Sequence, residues 1–123
     1  MASTTFKFMA PILLIIILCY IAPSSLAAEY RVGDDLGWRP LVNYYSWVRS
    51  KSIQLGDTLV FNYDASQYSV AEVTQFKFIA CNASDAIFFE KDGQSSITLS
   101  RPGQHYFMAD NHCADQMVFS VLV

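Results

Sequence analysis

The sequence predicts an all-β domain, a sandwich or barrel built from short strands. Runs rich in β-branched and aromatic residues recur along the chain, and turn signals separate them at the spacing of about 8 to 12 residues that is typical of such folds. The chain has 123 residues and contains no internal repeat, linker or low-complexity segment. These features favour one small domain with a single core.

The strands are predicted from pattern and from the turns between them. Six segments qualify: TLVFNY (58–63), SVAEV (69–73), AIFFEK (86–91), SSITLS (95–100), GQHYFM (103–108) and MVFSVLV (117–123). Two further segments favour short helices: NYYSWVRS (43–50), and VTQFKFIAC (73–81), where Phe76, Ile79 and Ala80 fall at helical spacing.

The N-terminal segment, residues 1–28, is predicted to be a secretory signal peptide. Lys7 supplies a positive charge, ILLIIILCYIA (12–22) an apolar run, and PSSLAA a set of small residues with a cleavage point just before or after Ala28. The apolar run is shorter than the ~20 residues of a membrane-spanning helix. The domain then covers residues 29–123, which we expect to be released to the extracellular space.

Removing this segment changes the charge and the cysteine count. The remaining chain carries 7 Lys and Arg against 11 Asp and Glu, a net charge of −4, which does not favour nucleic acid or an anionic membrane as a partner. Only Cys81 and Cys113 remain, and an even pair of cysteines in a secreted chain predicts a disulfide.

The sequence contains no signature of a catalytic site. It lacks a nucleophile elbow, a glycine-rich phosphate loop and a Cys-x-x-Cys pair, so we expect no enzyme activity. The aromatic residues in or beside predicted strands are interpreted as core rather than as a ligand platform: Trp38, Trp47, Phe61, Phe88, Phe107 and Phe119.

One stretch, HYFMADNHCADQM (105–117), has the composition of a loop that binds a soft metal. It holds two histidines, two methionines and a cysteine. Together with EYRVGDDLGW, YYSW, LGDTLVFNY, YSVAEV and CNAS, in that order, it resembles a phytocyanin, a member of the plant family of secreted proteins related to blue copper proteins. The resemblance covers essentially all of residues 29–123. It implies a cupredoxin fold, a Greek-key β-sandwich of seven or eight strands, and a disulfide between the positions of Cys81 and Cys113.

The resemblance also implies which positions hold the copper ligands of the family. At two of these positions the sequence has a different residue. Type 1 copper needs two histidines and a cysteine thiolate, with a weak axial ligand such as Met. The family's first histidine, in HxVxEV, corresponds to Tyr68, and its ligand cysteine, at the end of a YFxC strand, is assigned to Met108. His112 and Met117 keep the second histidine and the axial position. Three residues separate Met108 from His112, where the family usually has four.

These replacements predict that the copper site is degenerate. A phenol at Tyr68 is protonated at neutral pH, and a thioether at Met108 cannot form the copper–thiolate bond. His105 is three residues from Met108 in a strand, so it is expected on the opposite face, at an exposed or rim position. A weak Cu(I) site formed by His112 with Met108 and Met117 is left open. Otherwise the two methionines fill the space that the metal required.

The expected function is therefore that of an extracellular binding or structural module without copper, and a copper-binding electron carrier is the alternative. Loss of copper ligands resembles the early nodulin-like branch, whereas the absence of a spacer and apolar tail after residue 123 resembles the short, freely secreted plantacyanin branch, so no GPI anchor is expected. We expect a monomer that binds extracellular or cell-wall components. The sequon NAS predicts an N-glycan at Asn82.

Overall fold

The computed structural model describes residues 26–123, so nearly all of the predicted signal peptide lies outside the described residues. The strands are β1 (Glu29–Arg31), β2 (Thr58–Asn62), β3 (Val70–Val73), β4 (Phe88–Glu90), β5 (Gln94–Thr98), β6 (Gln104–Met108) and β7 (Val118–Leu122). The helices are α1 (Tyr44–Arg49) and α2 (Gln75–Ile79), with a 3₁₀ turn at Asp34–Leu36. No helix in this part of the chain is long and apolar enough to cross a membrane.

The strands form two sheets, in the orders β1-β2-β5 and β4-β3-β6-β7. All pairs are antiparallel except β1 and β2, which run parallel from the pairing of Glu29 with Thr58. The six strands predicted from pattern are present with slightly different ends, and the prediction of a mainly β domain with two short helices is confirmed. Strand β1 was not predicted, because three residues are too few to show a period.

A layer of aromatic rings joins the two sheets. The Trp38 ring lies 5.1 Å from the Phe61 ring of β2 and 5.8 Å from the Phe119 ring of β7, both edge-on. Phe107 of β6 packs 5.6 Å from Phe61 and 5.3 Å from Phe119. Such tilted and edge-on contacts add to the free energy gained by burying the rings. The predicted core aromatics are buried, except that Phe88 is half-buried against this core.

Local contacts explain where the two helices begin and how the segment before α1 is held. The Asn43 side chain accepts the Ser46 N–H at the start of α1, and Thr74 does the same for Lys77 at the start of α2. The Tyr44 hydroxyl accepts the Arg39 N–H and points at the carbonyls of Gly37 and Arg39. Burial raises the pKa of Tyr44, so this hydroxyl stays protonated and can donate.

Helix α2 forms as predicted, but its apolar spacing does not identify a buried face. Phe76 and Ile79 are 80% and 76% exposed. Phe78 is the side chain that packs inward, 5.2 Å from the Tyr106 ring of β6. In a helix of five residues, the strand that it packs on decides which side is buried, since one turn is too short for periodicity to be informative.

The disulfide joins Cys81, just after α2, to Cys113 in the loop between β6 and β7, as predicted. The bridge closes a span of 32 positions. In the chain-entropy account it stabilises the fold by about 3 to 4 kcal/mol, because it restricts the unfolded chain. It also ties the β6–β7 loop to the segment that follows α2.

His105 lies on the opposite face of β6 from Met108, but the prediction that it is exposed is wrong. Only 4% of its side chain is accessible. Its Nδ1 is 3.1 Å from Glu72 Oε2 and its Nε2 is 2.8 Å from the Arg101 carbonyl. The Arg101 guanidinium also donates to Glu72 at 2.9 Å. A carboxylate from β3 and the Arg101 segment therefore give this polar ring buried partners, which the sequence of β6 alone does not reveal.

We expect His105→Ala to lower the free energy of unfolding by about 1 to 3 kcal/mol, because it removes one hydrogen-bond partner from the buried Glu72 carboxylate. Gln104→Ala, at the exposed neighbouring position, is the matched control and should change it by less than about 0.5 kcal/mol. Urea denaturation measures both variants. Equal midpoints for the two would show that the His105–Glu72 contact does not contribute to stability.

Candidate metal centre

The residues at the predicted ligand positions come from two places in the fold. Tyr68 lies just before β3, and Met108 is the last residue of β6. His112 and Met117 lie in the turn segment 109–117 that leads to β7. Backbone hydrogen bonds close this segment on itself: Ala109 N–H donates to the Met117 carbonyl at 3.0 Å, and Met117 N–H donates to the His112 carbonyl at 3.2 Å. The segment is therefore a compact turn held between two paired strands.

Tyr68 and His112 are in direct contact. Their ring centroids are 4.9 Å apart and the rings are nearly perpendicular, at 75°. Both side chains are half-buried, and Tyr68 also packs against the aromatic core. The structure thus brings together the positions that correspond to the two histidines of the family motif, with a phenol in place of one imidazole.

Hydrogen bonds accepted by the neighbouring residue, Ser69, connect this pair to the core. The Trp38 indole N–H donates to the Ser69 carbonyl at 2.9 Å. The Ser69 hydroxyl accepts the Asp110 N–H at 3.2 Å and so joins the 109–117 segment to the start of β3. Because Ser69 is buried, these bonds are shielded from water and fix the distance between Tyr68 and the segment.

His112 has a carboxylate partner. Its Nδ1 is 2.8 Å from Asp115 Oδ2, which lies three residues further along the chain. A carboxylate on one imidazole nitrogen orients the ring and makes the other nitrogen a better electron donor. Among residues 26–123, the hydrogen bonds of this ring involve Nδ1 and leave Nε2 as the nitrogen available to a ligand.

Met117 and Met108 lie in different parts of the core. Met117 is fully buried in the aromatic cluster, together with Ala109 and Phe107. Met108 is fully buried in a second cluster on the other side of the β6–β7 sheet, with Ala71 and Val73. Side chains of successive strand residues point to opposite faces. Phe107 lies in the same cluster as Met117, so Met108, the next residue of β6, faces away from both.

This alternation changes which residue stands at the position of the ligand cysteine. The four letters of the family's YFxC motif align with Tyr106, Phe107, Met108 and Ala109, and Ala109 lies on the same face as Met117. We therefore propose Ala109, whose methyl group offers no donor, in place of Met108 as the counterpart of the ligand cysteine. On this alignment two residues, Asp110 and Asn111, separate the cysteine position from His112, where the family usually has four.

The donors on this face do not match those of type 1 copper. They are one imidazole at His112, one thioether at Met117 and one phenol at Tyr68, and a thiolate is missing because both cysteines of residues 26–123 form the disulfide. In the described part of the chain, no three side chains of His, Cys, Asp or Glu are grouped closely enough to hold a metal ion.

Asn82, the predicted glycosylation site, is exposed immediately after Cys81. Its side-chain oxygen accepts the Ser84 N–H at 2.8 Å, which forms a turn across the sequon. The site lies on the surface, away from the aromatic core.

Comparisons with known proteins identify the family. The family model described as "Plastocyanin-like domain" matches residues 38–117. A blue copper protein of Pisum sativum is 34% identical over 88% of this chain, and early nodulin-like protein 7 of Arabidopsis thaliana is 40% identical over 81% of it. The chain spans 61% and 57% of the lengths of these two relatives. It covers 73% of blue copper protein 1b of Medicago truncatula, at 32% identity.

Solved structures agree with this result. The blue copper protein known as cucumber basic protein superposes with a TM-score of 0.69 at 35% identity, over 77% of this chain and 98% of that one. Cucumber stellacyanin, whose structure contains Cu²⁺, gives the same TM-score at 30% identity, over 79% and 94% of the two chains. This chain therefore belongs to the plastocyanin-like domain family and is a phytocyanin with a cupredoxin fold.

Proposed function

We propose that this phytocyanin is secreted, does not hold type 1 copper, and acts as a non-enzymatic binding or structural module in the extracellular space. The observation that carries the proposal is that His112 is the one strong copper ligand remaining where the family has three. Tyr68 and Ala109 occupy the other two positions, while the fold and the disulfide around them are retained.

The packing around these positions supports the proposal. The Tyr68 ring lies against the His112 ring, so an aromatic contact takes the place of a second imidazole. Ala109 and Met117 are fully buried within the apolar core. A thioether is flexible and fills irregular apolar space well, so Met117 stabilises this end of the core without a metal.

The alternative function is copper binding with electron transfer, which the blue copper relatives suggest. One observation favours it: the His112–Asp115 hydrogen bond has the arrangement that orients metal-ligating imidazoles in proteins. A Cu(I) site with His112 and Met117 would have two donors from this face. Met108, which the sequence offered as a third, lies in the other cluster. Two neutral donors bind copper more weakly than a set that includes a thiolate.

A role in recognition is supported by exposed apolar side chains on either side of Cys81. Phe76 and Ile79 of α2 precede it, and Ile87 and Phe89 follow it; all four are more than half exposed. Large apolar groups exposed on a small domain are candidates for an interaction surface. We propose that the partner is an extracellular or cell-wall component and that the protein is a monomer.

The first test is metal content and visible absorption of the secreted protein after incubation with Cu(II) and, separately, with Cu(I) at a reductant level that spares the disulfide. We expect less than stoichiometric copper after desalting and no intense blue absorption, because no thiolate is available. One copper per chain with intense absorption would overturn the proposal. One copper per chain without colour would favour the His112–Met117 alternative, and His112→Ala should then abolish binding.

Restoring the missing ligands should create a copper site only if they are placed on the correct face. We expect Tyr68→His with Ala109→Cys, and two residues inserted before His112, to bind Cu(II) with intense visible absorption. The matched control carries Tyr68→His with Met108→Cys and the same insertion, and its thiol should face the second cluster. Titration with Cu(II) followed by absorption compares them. Equal colour in both would contradict the assignment of Ala109 to the cysteine position.

We also propose that Asn82 carries an N-glycan, since its exposed sequon would pass through the secretory route. We expect treatment with a peptide N-glycosidase to reduce the mass of the secreted protein by that of one glycan. Ser84→Ala should give the reduced mass without treatment. An unchanged mass in both experiments would show that the sequon is not used.

A further inference from the structure

We infer that the signal peptide is cut between Ala27 and Ala28, and that the α-ammonium group released at Ala28 forms an ion pair with the buried carboxylate of Asp57. The inference rests on the secretory route proposed above. It concerns the opposite end of the sequence from the candidate metal centre and shares no residue with it.

Asp57 is the observation from which the inference starts. Only 4% of the residue is accessible. Its Oδ2 accepts the Gln54 N–H at 2.8 Å, and its Oδ1 accepts the Ala28 N–H at 2.8 Å. Within residues 26–123, none of the ion pairs formed by Lys, Arg or His involves Asp57. A buried carboxylate that has hydrogen bonds but no cation is costly, so a positive charge at this place would be stabilising.

A free amino group at Ala28 would supply that charge without any rearrangement. The Ala28 nitrogen is already within hydrogen-bond distance of Oδ1, and a chain beginning there has an ammonium group instead of a neutral amide. The hydrogen bond to the carboxylate then becomes an ion pair as well, which adds the attraction of opposite charges to the bond already present. Ala28 is half-buried, which reduces the screening of this pair by solvent.

The sequence before the cut independently favours the same bond. Signal peptidase requires small residues at the last and third-last positions of the signal. A cut after Ala27 puts Ser25 and Ala27 there, whereas a cut after Ala28 puts the larger Leu26 at the third-last position. The enzyme's preference and the position of Asp57 therefore agree on one of the two bonds that the sequence left open.

A cut one residue later would also remove contacts that begin the sheet. The Ala28 carbonyl accepts the Thr58 N–H at 2.9 Å, just before the paired residues Glu29 and Thr58 that start the parallel β1–β2 ladder. Losing Ala28 would leave this N–H and Asp57 Oδ1 without their partners. Ala28 is thus a structural part of the domain, and the mature chain is expected to cover residues 28–123.

The first part of the test is the intact mass of the secreted protein after removal of any N-glycan. We expect the mass of a chain that begins at Ala28. A chain that begins at Glu29, or one that keeps the signal peptide, would overturn the inference. This measurement does not depend on copper, so it can fail or succeed separately from the proposed absence of a metal site.

The second part measures the ion pair by acetylating the α-amino group of the secreted protein, which removes its charge but keeps an N–H. We expect acetylation to raise the unfolding equilibrium constant about tenfold, since it replaces an ion pair by a hydrogen bond from a neutral amide to the same carboxylate. The matched control is the secreted Asp57→Asn variant, acetylated in the same way, which should show no such change. An equal change in both proteins, or none in either, would overturn the ion pair.

A third preparation keeps the test decisive if Asp57→Asn fails to fold. A chain that begins at Ala27 retains the Ala28 N–H as a neutral amide and moves the ammonium group one residue away from Asp57. We expect its unfolding constant to match that of the acetylated Ala28 chain. If it equals that of the untreated Ala28 chain instead, the charge at Ala28 does not interact with Asp57 and the inference is wrong.

Discussion

The position of the Trp38 ring between the two sheets is the constraint on which the rest of the structure depends. Its faces and edges meet aromatic rings from β2 and β7, and its only polar atom donates to the Ser69 carbonyl. The packing of this ring and its hydrogen bond together relate the separation of the sheets to the place of Ser69. Because Ser69 also binds the Asp110 N–H, the candidate metal centre is held in shape by the core.

This explains how the geometry of a cupredoxin site can persist while its donors change. Tyr68 and His112 remain in contact, and the 109–117 segment closes through its own backbone and is anchored by the disulfide at Cys113. None of these contacts involves a metal ion. A family can therefore keep one fold with and without the residues for copper, and the chemistry of the site, rather than the fold, has to carry the functional argument.

Much of the fold could be predicted because it depends on local pattern and chemistry. Short β-branched runs and turn residues located six strands, and the two cysteines that follow the signal segment predicted the disulfide. The errors share one physical cause, which is that burial is decided by residues distant in the sequence. The helical spacing of Phe76 and Ile79 did not reveal that both are exposed, and His105 was expected near the surface but is buried against Glu72 and Arg101. The Glu72 partner of His105 could not be identified without the pairing of β3 with β6.

The sequence by itself determined which donors exist: one histidine in the 109–117 segment, a tyrosine where the family has its other histidine, and no cysteine outside the disulfide in residues 29–123. Only the tertiary structure decided which of them share a face. Strand alternation along β6 and its pairing with β7 put Met108 on one side of the sheet and Ala109, with Met117, on the other. A shift of one residue exchanges the two faces of a strand, so a ligand position at a strand end is fixed by register, which is a property of paired strands and not of either segment alone.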